Sequence, residues 1–442
     1  MTETAGNSPD RDDAAWGFDT LQIHAGAAPD AATGARATPI YASTSFIYES
    51  SEQAAASFAL EDLDSYAYTR MSNPTTSVVE QRIARLENGA YAIAVASGQA
   101  ATALAILNIA RSGDHVVVSK QIYGGTLNLV LGRFSEIGIT ATLVDDLTDL
   151  DEWRAAVRPE TRAFLAESIG NPTGAVLDIA AVADVAHQAG VPLVVDNTLA
   201  TPYLVRPLDH GADIVVHSTT KFLSGHGTVI GGVIVDGGTF DYSDGARWPG
   251  FSTPIGQNPA GYWERFSGRT LAYSLRLRTT VLRDYGPAVS PFNSFLLIQG
   301  LETLSLRMRQ HVANAREIVA FLEAHPLVER VHYPEATGSP WAELAARYLP
   351  RGAGAIVSFE IAGGREAGAT FVESLRLFSH LANIGDVRSL VIHPASTTHS
   401  GMTPDQQRVA GISPSLVRLS IGLEDSVDLV ADLDRALAAS AH

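Results

Sequence analysis

The chain has 442 residues, 46% hydrophobic and 18% charged, enough for two or three packed domains and unlike a disordered sequence. Its formal net charge is −17 and no block of lysine or arginine stands out, which argues against a nucleic-acid or anionic-membrane surface. Cysteine is absent, which excludes disulfides, thiolate metal sites and a cysteine nucleophile.

The polar, acidic start, Met1 to Gly17, reads as a flexible arm rather than a secretory leader. No apolar run approaches the roughly 18 residues of a membrane helix, and a cytoplasmic location is expected. Residues 1–75 have weak periodicity, with turn signals at Pro29, Gly34 and Pro39 and a strand-like piece from Pro39 to Tyr48. Such an arm is expected to lie across another part of the protein or a partner subunit. Its end, Ser65 to Thr75, offers Tyr68 and Arg70, which spacing alone leaves as a surface pair.

Helix and strand signals then alternate. Asn73-Pro74 starts a helix with Val79, Ile83 and Leu86 on one face, and Gly89 stops it. Strands are expected at Ala90–Ala96, His115–Ser119, Thr140–Val144, Arg162–Ala166, Pro192–Val195, Ile214–Val216 and Ile230–Val235, with helical stretches between most of them. This pattern predicts βαβ units and a mainly parallel sheet, within a large domain over 76–285. Residues 237–269, rich in glycine, proline and aromatics, read as a long irregular insertion that is either functional or disordered. A long helical region from Thr270 to His325, broken near Pro287–Pro291, leads into a smaller α/β domain, 286–442.

In parallel sheets ligands bind beyond the carboxyl ends of the strands. The unusual residues fall there: Ser97-Gly98-Gln99, Tyr123, Asn171, Asp196 and the run Ser218, Thr219, Thr220, Lys221. A small-residue turn entering a helix presents free N–H groups to an anion, and Gly98 and Gln99 fit that description, with Ser218 and Thr220 as further donors. Neither GxxxxGKS/T nor GxGxxG after the early strand occurs, so a nucleotide is not favoured. Asp196 follows an apolar run and needs a cationic partner or several donors. Lys221 could supply it as a plain ion pair, or could simply reach water. A protonated pyridine nitrogen would serve Asp196 equally, freeing Lys221 for a Schiff base. Phosphate cradle, stacking Tyr123, buried carboxylate and lysine together describe pyridoxal phosphate. No HExxH or other close histidine spacing occurs, so no metal is expected.

At these residues the chain resembles the Cys/Met-metabolism family of pyridoxal-phosphate enzymes. The stretch DIVVHSTTKFLSGHG, Asp213 to Gly227, is similar to that family's lysine signature, and the likeness runs from Thr20 to Glu424. Within the family it is nearest to the O-acetylhomoserine sulfhydrylases, through SHLANIGDVRSLVIHPASTTHS, Ser379 to Ser400, and the insertion from Gly237. The resemblance implies an aspartate aminotransferase-like fold and a homotetramer of two catalytic dimers. It implies that Lys221 holds the cofactor and shuttles protons. Asp196 would pair with the ring nitrogen, with Thr198 beside it, while Tyr123 stacks on the ring. Gly98, Gln99, Ser218 and Thr220 would bind the phosphate. Tyr68 and Arg70 would reach the phosphate of a neighbouring subunit, and Arg418, Ser389 and Asn171 would receive the substrate carboxylate.

The implied reaction is γ-replacement on O-acetylhomoserine by sulfide or methanethiol in methionine biosynthesis. Cystathionine γ-synthase, a γ-lyase and a non-catalytic cofactor-binding protein are the alternatives. Arg388 stands where the family's cystathionine enzymes usually carry an acidic residue, which favours sulfide or a small thiol over cysteine.

Overall fold

The computed structural model describes residues 15–256, 258–397 and 413–441. The first fourteen residues of the polar arm and the last three of the Ser379–Ser400 stretch lie outside these. The large sheet has seven strands: β1 Tyr91–Val95, β2 His115–Ser119, β3 Thr140–Val144, β4 Thr161–Glu167, β5 Leu193–Asp196, β6 Ile214–Ser218 and β7 Gly232–Asp236. Their order is β1-β7-β6-β5-β4-β2-β3. β2 to β6 run parallel to one another, and β7 is antiparallel to both β1 and β6. Every residue of β2 and β7 is buried, as a sheet covered on both faces requires. The unbroken apolar runs in the sequence reflect that double burial.

The predicted start at Asn73 holds: its side chain accepts from the Thr75 N–H and Pro74 opens helix Pro74–Glu87. The helix ends at Asn88 in the left-handed conformation (φ 61°), one residue before the expected glycine. The expected strand at Pro39–Tyr48 does not form. That segment makes only an isolated bridge, Ser45 to Tyr68, because Thr75 and Asn73 hold the carbonyls of Pro39 and Tyr41 instead. A helix, Ser51–Phe58, interrupts the arm, capped by the Ser50 side chain.

The described residues of insertion 237–269 pack into a unit of their own. Tyr242, Trp248, Phe251, Tyr262 and Phe266 are all buried, and Tyr242 stacks on Phe251 with ring centres 4.3 Å apart. Its aromatic side chains, scattered without period in the sequence, make a satellite core. Arg265 reaches from this unit to the carbonyls of Ala59 and Leu60, tying down the arm's helix.

The helical region is cut at 286–290, as expected, and again at 302–303, leaving helices Pro291–Leu301 and Leu304–Ala324. The second sheet comprises β8 Val328–His332, β9 Ile356–Ile361, β10 Ser379–His380, β11 Leu390–Ile392 and β12 Leu416–Ser420, in order β10-β11-β12-β9-β8. It leans on the loop after β4: Ser358 on β9 donates to the Pro172 carbonyl at 2.8 Å. No helix among the described residues is long and apolar enough to cross a membrane.

Candidate active site

The carboxyl ends of β4, β5 and β6 form one rim. Glu167 ends β4 opposite Asp196, which ends β5. Ser218 ends β6, and Lys221 follows within one turn, its N–H bonded to the Ser218 carbonyl at 3.2 Å. Helix Gly98–Leu107 begins beside them, with Ser97 as its cap. A methyl group on Gly98 would lie 2.5 Å from the Ser218 Cβ, so only glycine lets this helix end approach β6. The N–H groups of Gly98 and Gln99 have no partner among the described residues. Bare backbone donors at a helix start next to a serine hydroxyl suit a phosphate. The Thr220 hydroxyl is already engaged, donating to the Gly231 carbonyl and accepting from its N–H.

Asp196 Oδ1 accepts from both the Thr198 N–H (2.9 Å) and the Thr198 hydroxyl (2.5 Å). The same hydroxyl accepts from the Ser218 N–H at 2.8 Å, so Thr198 ties β5 to β6. Oδ2 accepts from no described residue and is open to a ligand. Burial pushes the Asp196 pKa upward, against the two Thr198 bonds and the nearby His217. Burial, then the Asp196 charge, push Glu167 well above the usual carboxylate range. Carboxyls at the ends of adjacent strands disfavour each other's charge, and the upward push is the stronger on Glu167.

Lys221 forms no ion pair with Asp196. Its ammonium donates to the Asn383 side-chain carbonyl, and burial, then Arg418, lower its pKa. A lysine without a carboxylate partner and shifted toward neutrality suits a Schiff base or proton carrier. The loop bearing Asn383 presses on the lysine turn. Gly385 (φ 74°) would place a Cβ 2.7 Å from the Phe222 nitrogen, and the Val387 N–H donates to the Gly225 carbonyl at 2.8 Å. From the other side Arg307 donates to the carbonyls of Phe222, Leu223 and Gly300.

Arg418, on β12, completes the cleft between the sheets. It approaches the Asn171 side chain (3.4 Å) and the Asn383 carbonyl (3.1 Å), while its buried Nε has no partner among the described residues. Ser389 is fully buried and committed elsewhere, donating its hydroxyl to Glu424 (2.9 Å) and accepting from the Gly422 N–H (2.8 Å). It braces the strand-end turn beyond Arg418 rather than presenting a free hydroxyl. Tyr123 is 54% exposed, facing open space at the rim. Tyr68 and Arg70 lie apart from this cluster as an exposed stacked pair, 5.2 Å from guanidinium carbon to ring centre. Arg388 is exposed and paired with Asp386 at 3.0 Å.

Asn383, Glu424 and Arg307 escaped the sequence reading. Asn383 lies within the Ser379–Ser400 stretch, but an asparagine in a loop carries no pattern of its own. Cavity size does not mark the site either. A cavity of about 500 Å³ lies elsewhere, beneath the arm, with Tyr66, Glu80 and Arg278 in its lining.

The family model for "Cys/Met metabolism PLP-dependent enzyme" matches residues 19–438. The chain is 48% identical to an O-acetyl-L-homoserine sulfhydrylase of Leptospira meyeri over 95% of this chain and 96% of that one. It is 47% identical to a homocysteine synthase of Schizosaccharomyces pombe over 95% and 98%. The crystal structure of metY from Campylobacter jejuni, which carries a pyridoxyl-lysine phosphate, superposes with a TM-score of 0.90 at 38% identity, covering 96% of this chain and all of that one. The lysine-centred rim and a likeness that spans nearly the whole chain agree: this protein belongs to the family of Cys/Met-metabolism pyridoxal-phosphate-dependent enzymes.

Proposed function

We propose that the protein replaces the acetate of O-acetyl-L-homoserine with sulfide, or with methanethiol, giving L-homocysteine or methionine and acetate. The observation that carries this reading is the 48% identity, over nearly both full lengths, to a relative named for that reaction.

The residues present fit the cofactor, since the bare helix start at Gly98 and the open Oδ2 of Asp196 face one rim. Bound pyridoxal phosphate would supply a sink for the electrons left when a proton departs next to the substrate amine. Asp196 would keep the ring nitrogen protonated, and Tyr123 would cover one ring face. Gly98, Gln99 and Ser218 would hold the phosphate, with Thr220 shaping the turn. Lys221 would anchor the cofactor and carry protons on Nζ. Its depressed pKa makes the neutral, proton-accepting form accessible. Arg418 would take the substrate carboxylate as a two-pronged donor, with Asn171 beside it and Ser389 bracing the turn.

We further infer a large domain over 76–285 and a small domain over 286–442. Residues 1–75 would form an arm whose Tyr68 and Arg70 complete a neighbouring subunit's site in a cytoplasmic homotetramer. The exposed Tyr68–Arg70 pair supports that reading, since neither side chain makes a hydrogen bond among the described residues. Arg388, a cation paired with Asp386 where a co-substrate ammonium would need a carboxylate, supports sulfide over cysteine as nucleophile.

Product analysis tests the proposal. O-acetyl- and O-succinylhomoserine would each be offered with sulfide, methanethiol or cysteine. Homocysteine with release of acetate is expected from the acetyl ester and sulfide. Cystathionine as the dominant product would overturn it.

A further inference from the structure

Glu167 has no assigned part in the site, yet it stands at its centre. It is buried and lies in register with Asp196. Oε1 accepts the Tyr123 backbone N–H at 2.7 Å, and Oε2, also buried, has no partner among the described residues. Tyr123 needs such an anchor. Its ring is more than half exposed, so packing does not fix it. The rest of its loop is held by the Gln99 amide on the Gly125 carbonyl (2.9 Å), the Thr173 hydroxyl on Gln121 (3.1 Å) and the Gln121 N–H on the Ser119 hydroxyl (3.1 Å). The Tyr123 carbonyl accepts from Thr126 (2.8 Å) and Leu127 (3.1 Å) in the helix that follows, which leaves Glu167 as the group that holds its N–H.

We propose that Glu167 is a positioning residue for Tyr123, a buried acceptor that fixes where the tyrosine ring covers the cofactor beside Asp196. This rests on the cofactor-binding roles proposed above for Tyr123 and Asp196, but not on any choice of substrate. A carboxyl suits the place because its Oε1 meets the Tyr123 N–H at 2.7 Å. Burial and the neighbouring charge both favour its neutral form.

The test uses cofactor affinity and the visible circular dichroism of the bound cofactor, measured without amino-acid substrate. Failure of this proposal is therefore distinguishable from failure of the substrate assignment. Glu167→Gln keeps a neutral acceptor and is expected to bind pyridoxal phosphate within about twofold of wild type. Glu167→Ala frees the Tyr123 N–H and is expected to weaken binding about tenfold and to diminish the dichroic band. In a Tyr123→Ala background the same change is expected to add less than about twofold, because the residue it acts through is gone. An equal factor in both backgrounds, wild-type behaviour of Glu167→Ala, or a Glu167→Gln variant as weak as Glu167→Ala would each overturn the proposal. Glu167→Met, which preserves volume, gives the same comparison if the alanine variant does not fold.

Discussion

The Lys221 ammonium donates its hydrogen bond to the side-chain carbonyl of Asn383, whose backbone carbonyl accepts from Arg418. One neutral residue thus touches both cations of the site. It supplies an acceptor without a counter-charge, so the lowering of the Lys221 pKa by burial and by Arg418 is not cancelled. Asn383→Asp would add a negative charge at the ammonium and is expected to raise that pKa by roughly 1–3 units. Asn383→Ala removes a bond to the charged form and is expected to lower it. The pH dependence of Lys221 modification by an amine-directed reagent in the cofactor-free protein measures both. Unchanged titration in the aspartate variant would refute the idea that Asn383 leaves Lys221 poised.

The contact between Gly98 and Ser218 makes a second prediction. A Cβ at residue 98 would sit 2.5, 2.8 and 2.8 Å from three Ser218 atoms, backbone among them. The helix start would have to retreat from β6, separating the N–H donors from the serine hydroxyl. Gly98→Ala is expected to weaken pyridoxal phosphate binding roughly ten- to a hundredfold, the range that overpacking of this kind costs. Equilibrium titration of the cofactor-free protein checks it. Wild-type affinity would mean that Gly98 does not shape the phosphate site.

These residues also show what the sequence could convey. The strands of the large sheet were legible because most are short apolar runs between turn signals, and the rim followed from topology alone. The signature around Lys221 located the site. The partner of Lys221 was not legible, because Asn383 arrives from a loop 162 positions away and no periodicity marks it. Ser389 enters only through the family resemblance, and a sequence position does not say whether a hydroxyl faces a substrate or a neighbouring glutamate. Insertion 237–269 resisted for a different reason. Its core is aromatic stacking between irregular segments, which has no period to detect.

Asp236 predicts a pH dependence of stability that is independent of catalysis. It ends β7, which runs antiparallel to β6, so it lies at the opposite edge of the sheet from Lys221. Burial pushes its pKa up to about 6 from 3.8, despite hydrogen bonds from Ser274 (2.7 Å) and the Gly238 N–H (2.8 Å). The folded form therefore holds a proton that the unfolded chain releases near pH 4. Its contribution is fully present below the unfolded value and is lost as pH rises through the folded one. About 3 kcal/mol is at stake between pH 4 and 7. Asp236→Asn removes this titration and is expected to gain relative to wild type as pH rises over that window. Parallel curves of unfolding midpoint against pH for the two proteins would refute it.

Arg418 carries the last prediction. Burial lowers its pKa to about 10, with Tyr123 opposing, so it stays charged at neutral pH. Its hydrogen bonding is incomplete: one bond to Asn171 is long at 3.4 Å, and Nε has none. A buried guanidinium with spare donors is costly unless an acceptor arrives, and a substrate carboxylate would be that acceptor. Lysine keeps the charge but presents no planar fork. Arg418→Lys is therefore expected to raise the KM for the amino-acid ester roughly ten- to a hundredfold, with kcat changed less. Cofactor affinity should stay within about twofold, since the cofactor-binding groups proposed here lie on the large sheet, its loops and the arm rather than on β12. A parallel loss of cofactor affinity would show instead that Arg418 holds the two sheets together, and its assignment to the carboxylate would fall.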